Sequence, residues 1–355
     1  MTISTLNLSG SQYKTLQKLQ KQFSDATSEA SNSRLVDVGL SLGRLTGTSV
    51  NYRVQESSLE SRLQSNKVVD NRLDLIDDAM EAISKSASDI QTSALVAKKY
   101  PQYQSLAKSA LQQLQGSLNT ADGGLYVFGG TNADVAPITN VDTGLTAAKA
   151  NYDAFLTAVA GPTKDASKVT SAQMTAFLSD AGYVATDYPT VGTNTTFSFM
   201  DTVKNPAWGT NWSKASDDVT QAGISKTETI DTSVSANNDA FKKVTAAYSM
   251  LATIDITALS DAVKDVVSQT AAVTLAAGTD GITAQRALVG TRQNRIDAAN
   301  AAMTSQKDIV SKAFNDMEGV DPYEASQKMN ALELQLNTAM AATVRIQKLS
   351  ILDYL

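Results

Sequence analysis

Apolar side chains recur at helical spacing through most of this chain. Ala325, Met329, Leu332, Leu336, Ala339, Thr343 and Ile346 follow one another in steps of four and three. That is the spacing of the a and d positions of a coiled coil. Leu16, Leu19, Phe23, Ala26 and Ala30 keep the same rhythm near the other end. Between these seams lie two longer runs. Residues 53–99 contain neither Gly nor Pro, and Leu73, Ile76, Met80, Ile83, Ala87, Ile90, Ala94 and Ala97 hold the alternation over three heptads. Ile282, Val289, Ile296, Met303, Val310 and Met317 recur at an unbroken interval of seven. The pattern predicts four long helices, two at the chain ends and two inside them.

Breaks in the pattern set the boundaries. Gly39, Gly43 and Gly47 interrupt residues 33–52, which read as a kink between helices. Tyr103, Leu106, Ala110 and Leu114 stripe a further helix after Pro101, ending near Gly116 or Asn119. Asp122-Gly123-Gly124 is a turn signal, and with the apolar run Leu125–Phe128 it predicts a β-hairpin. Residues 135–235 change character: they hold Pro137, Pro162, Pro189 and Pro206, and both tryptophans. Thr195–Met200 alternates with period two and reads as a strand, while 151–160 and 171–181 read as short helices. Ser235–Ala240 opens a helix with capping residues, followed by Phe241, Val244, Ala247 and Leu251. Glu318-Gly319 and Pro322 stop the second long helix.

The predicted class is mainly α: a long antiparallel helical bundle or coiled coil formed by both chain ends, with a β-hairpin and an inserted small α+β domain. In order, residues 1–50 are an N-terminal helix and kink, 51–134 a helical core with the hairpin, 135–235 the inserted small α+β domain, 236–320 the return of the core, and 321–355 the C-terminal helix. The insert carries no heptad pattern, so removing about 145–225 is expected to be tolerated.

Composition narrows the chemistry. The chain has 355 residues, a net charge of −6 and 6% aromatic residues, which argues against a nucleic-acid surface. It has no His, and so lacks the commonest general base and metal ligand. Gly39-Leu40-Ser41-Leu42-Gly43 matches the nucleophile-elbow pattern but has no histidine to activate the serine. Asp74, Asp77, Asp78 and Glu81 share one side of a helix and read as a solvated acidic face. Gly39, Gly43 and Gly47 also fit a small-residue packing stripe, with the kink preferred. No stretch is apolar enough to span a membrane, and no cleaved export signal precedes the first helix. Neither a cofactor nor a metal is expected, and the chain is not expected to be an enzyme.

The tail carries a resemblance. Asp321-Pro322-Tyr323-Glu324-Ala325, Leu332-Glu333-Leu334-Gln335 and the closing Ile346-Gln347-Lys348-Leu349-Ser350-Ile351-Leu352-Asp353-Tyr354-Leu355 resemble the end of the hook-associated protein 3 family. These are hook–filament junction subunits within the flagellin superfamily. The resemblance covers roughly residues 1–135 and 230–355. It implies a subunit of the bacterial flagellum, exported without a cleaved signal and found outside the cell. It also implies assembly through the terminal helices, with further copies of itself, hook-associated protein 1, flagellin and an export chaperone as partners. The near variant is filament flagellin. A different class is a surface carbohydrate binder or adhesin, with Trp208, Trp212 and Phe199 of the insert stacking on sugar. For the assembly interface we expect Leu16, Leu19, Phe23, Leu336, Met340, Ile346, Leu349, Ile351, Leu352 and Leu355. The last of these are apolar beyond the seam and have no reason to be so within one chain.

Overall fold

The computed structural model describes the backbone of residues 2–96 and 102–352, and the side chains of 10–92 and 102–345. Its contacts divide the chain into two compact units, residues 1–63 with 301–355 and residues 64–300. Two long helices, α3 (Thr46–Val96) and α9 (Asp261–Glu318), contribute to both.

In the first unit, α1 (Thr2–Asn32) and α10 (Pro322–Leu352) pack along each other as an antiparallel pair. The expected seams face inward. Ala26 and Ala325 are fully buried, while Leu16, Leu19, Phe23, Met329, Leu332 and Leu336 are half-buried. The predicted kink contains a five-residue helix, α2 (Val38–Leu42), whose first turn is capped by the Asp37 carboxylate accepting from the Leu40 amide. Gly43 ends α2 at φ +51°, a backbone conformation that L side chains rarely adopt. A Cβ at Gly43 or Gly47 would meet nothing within 4 Å, so nothing within this chain packs closely against these two glycines.

The second unit is built on α4 (Tyr103–Leu118), α5 (Val141–Ala160), α6 (Ser171–Leu178), the short α7 (Ala207–Asn211) and α8 (Asp239–Thr253), with the central parts of α3 and α9. Three two-stranded antiparallel hairpins decorate it: β1 (Ala121–Asp122) with β2 (Leu125–Tyr126), β3 (Tyr183–Thr186) with β4 (Asn194–Phe197), and β5 (Gln221–Gly223) with β6 (Thr229–Asp231). Gly123 and Gly124, both at positive φ, turn the first hairpin as its sequence predicts. The heptad positions Leu73, Ile76, Met80, Ile83, Ala87, Ile282, Val289 and Ile296 are all buried. Ala94 and Ala97 lie outside the described side chains.

Four details depart from the sequence expectation. On α4 the buried line is Tyr103, Ala107, Ala110, Leu111, Leu114 and Leu118, and Leu106 is exposed. The strand at Thr195–Met200 stops at Phe197 and turns into a 3-10 helix, Phe199–Thr202, because Phe199 drops into the core. Helix α9 begins at Asp261, well before the heptads at Ile282, and runs through Gly278 and Gly281. A Cβ on Gly278 would lie 2.7 Å from Val244 Cγ2, and one on Gly281 would lie 2.8 Å from Ala240 Cβ. These glycines let α8 approach closely, which offsets their low helix propensity.

The insert, finally, does not have a core of its own. Phe155 stacks on Phe177 at 4.1 Å between ring centres, and Phe199 meets Phe177 edge-on. These rings belong to one hydrophobic cluster with Leu111 and Leu114 of α4 and Phe241 and Val244 of α8. Helix α8 is buried almost all round, as expected of a helix enclosed by others.

Candidate assembly surface

Most of the expected site residues lie on the α1/α10 pair. Leu16, Leu19, Phe23 and Leu336 sit half-buried on the seam between the two helices. Met340 lies off that seam and is exposed. The side chains of Ile346, Leu349, Ile351 and Leu352 fall outside the described residues, as does Leu355 altogether. Among the described residues this unit exposes more large apolar side chains than it buries. Eleven are exposed, Tyr13, Leu40, Val50, Val54, Ile309 and Leu334 among them, against four buried, Leu59, Met303, Val310 and Phe314, with the smaller Ala26 and Ala325.

Between the paired helices and the start of α3 lies a polar knot that the sequence did not announce. Glu318 closes α9 and is 1% exposed. Its carboxylate accepts from the Ser49 hydroxyl and the Arg53 guanidinium. Arg53 and Arg34 both lie over the Phe314 ring, with guanidinium carbons 4.9 and 5.0 Å from its centre. Arg34 also donates to Asn315 Oδ1 at 3.1 Å. The backbone joins in: Leu35 donates to Glu318 O at 2.9 Å, and Val320 to Ser33 O at 3.0 Å. A carboxylate buried at a helix C-terminus is unfavourable to both solvation and helix dipole unless it is compensated. Arg53 and Ser49 supply that compensation and so hold the two elbows, 33–45 and 319–321, as one body. A Cβ on Gly319 would lie 2.5 Å from Asn315 O, so only glycine fits this turn. The sequence offered Glu318-Gly319 only as a stop signal.

Beside the knot is a groove of about 380 Å³, lined by Asp25, Glu29, Val36, Asp37, Leu40 and Lys328 among others. Lys328 pairs with the buried Glu29 at 3.0 Å. Leu40 stands 85% exposed at its edge.

The acidic line on α3 is exposed at Asp74, Asp78 and Glu81, as expected of a solvated face, and part of it also pairs with α9. Asp77 accepts a two-pronged contact from Arg286 of α9 at 2.8 and 2.8 Å, and Glu81 accepts from the same guanidinium at 2.9 Å. Those carboxylates push the Arg286 pKa further up, the Asp77 hydrogen bonds leading. Gln293 donates to Asp74 at 2.6 Å and to Asp70 at 3.4 Å. Burial first, and the Asp74 charge second, raise the Asp70 pKa. These contacts fix the register of α3 against α9. The sugar-stacking expectation also fails. Trp208 and Trp212 are each 1% exposed and Phe199 is fully buried. The indole nitrogens donate inward, to Asn237 Oδ1 at 2.7 Å and to Thr202 O at 2.9 Å.

Two family models match the chain at its ends. The bacterial flagellin N-terminal helical region matches residues 3–133, and the bacterial flagellin C-terminal helical region matches residues 270–355. Together they cover more than half of the sequence and both members of each helix pair. The chain belongs to the flagellin superfamily. It is a structural component of the bacterial flagellum. No curated protein matches it significantly. Among solved structures it is similar to a chain described as a flagellar hook-associated protein from Vibrio parahaemolyticus, at 12% identity and a TM-score of 0.49, over 77% of this chain and 97% of that one. The stretch matched by neither flagellin model, 134–269, contains α5 to α8 and the two later hairpins. Among the described residues of this flagellin-superfamily chain, no helix is long and apolar enough to cross a membrane.

Proposed function

We propose that this chain is the subunit that joins hook to filament. It is exported through the flagellar apparatus, held beforehand by an export chaperone, and placed outside the cell between hook-associated protein 1 and flagellin. Copies associate head-to-tail through the α1/α10 pair, a heterologous contact that propagates around the axis. The single observation carrying the assembly reading is the imbalance of the first unit, which exposes more large apolar side chains than it buries. The closing sequence Lys348–Leu355 favours the junction over the filament.

A second reading, the filament subunit itself, draws on the two flagellin models. Deleting the gene separates the two. Under the junction reading, cells keep hooks and release flagellin into the medium, and electron microscopy finds no filaments. Intact filaments after deletion would overturn the junction role. Loss of filaments with no flagellin released would favour the filament subunit.

A further inference from the structure

The elbow groove of the first unit is lined by both polar and apolar side chains. Its carboxylates Asp25, Glu29 and Asp37 outnumber its one cation, Lys328, which is already paired with Glu29. Leu40 and Val36 leave an apolar edge in water, although neither side chain serves the fold there. A second surface in the same unit has the opposite character. Met340 and Val344, one turn apart on α10, are exposed beside the α1 seam. Between Glu333 and Asp353 the sequence holds Arg345 and Lys348 and no acid. One surface is apolar with acidic flanks and the other is apolar with basic flanks. They lie apart along α10, since Val344 is about 14 Å along the helix from Gln335, the last α10 residue that lines the groove.

We propose that the elbow groove of one subunit receives the Met340–Val344 face of α10 from a second copy, with Arg345 set against Asp25. This contact rests on the self-assembly reading and gives it a specific pair of surfaces. It is heterologous, so it repeats from copy to copy without using up either surface. It also accounts for Leu40, which has no packing role in the monomer.

The chain has no cysteine, so introduced thiols report cleanly. Leu40→Cys alone should react fully with a maleimide in the monomer and become protected in isolated flagella. Leu40→Cys with Val344→Cys should form disulfide-linked oligomers in flagella, because the two positions exceed disulfide reach within one chain. Asp25→Arg and Arg345→Glu should each lower incorporation about fivefold, and the two together should restore it. Protection at position 40 without disulfide would show a different occupant and overturn the assignment to a second copy. A position 40 that stays reactive in flagella would overturn the docking surface itself. A wild-type chain absent from flagella would instead remove the assembly reading, and this contact with it.

Discussion

The two units spend their apolar residues in opposite ways. Residues 64–300 bury them: α8 is enclosed on nearly every side, and rings from the insert share a cluster with α4 and α8. Among the described residues, 1–63 and 301–355 leave most of theirs in water and bury only Ala26, Leu59, Met303, Val310, Phe314 and Ala325. The contrast teaches where stability and interaction reside. A unit of crossing helices and hairpins can fill a three-dimensional core. A pair of helices side by side can only cover one stripe of each, so the other faces stay free for partners.

The comparison is sharpened by substitutions that should fall on opposite sides of it. The largest effect belongs to the second unit. Phe155→Ala removes a ring stacked on Phe177 and should cost about 3–5 kcal/mol, read as a lower melting temperature by circular dichroism. Deletion of 145–225, expected from sequence alone to be tolerated, should for the same reason fail to give a cooperative melt. An unchanged melt in either case would mean that the insert packs separately from α4 and α8.

Next comes the knot. Arg53→Ala leaves Glu318 buried without its cation and should cost about 3 kcal/mol. Limited proteolysis should then cut within 33–45 or at 319–321, while the second unit keeps its melting temperature. Protection equal to the wild type would show that the elbows are held by other contacts.

Alkaline pH tests the core from another direction. Burial pushes the Tyr248 hydroxyl up to about 12 from the usual 10, against the smaller opposing effect of its hydrogen bond to Ser86. The folded state favours the neutral phenol. Its stability is therefore fully present below pH 10 and falls as pH climbs from 10 towards 12, by about 2–3 kcal/mol. Urea melts across that range should show the loss, and Tyr248→Phe should reduce it.

The smallest effect belongs to Leu40→Ser. It should shift the monomer's melting temperature by no more than the equivalent of about 0.5 kcal/mol, yet lower incorporation into flagella. A large loss of monomer stability would place Leu40 in a core after all.

Periodicity made the long helices legible, because a and d spacing survives without knowledge of the partner. It placed Leu16, Leu19, Phe23 and Leu336 on the α1/α10 seam, and Leu73 to Ala87 in the core. It could not phase α4, where Leu106 and Leu111 compete for the inward line, nor extend α9 through Gly278 and Gly281. Those glycines look like breakers until α8 is seen against them. Glu318 gave no signal, because a buried carboxylate is indistinguishable in sequence from an exposed one. Trp208 and Trp212 misled for the converse reason: an aromatic residue in a variable segment looks like a ligand surface until its nitrogen is found donating inward.

Helices α4 and α8, which bury each other's apolar faces, are separated in sequence by all of residues 119–238. Closing so long a loop carries an entropic cost that must be met before the contact repays it. During synthesis, Leu111 and Leu114 emerge long before Phe241 and Val244 exist to cover them. The core of the second unit therefore cannot be completed until α8 has been made, however much of α4 is covered earlier by α5.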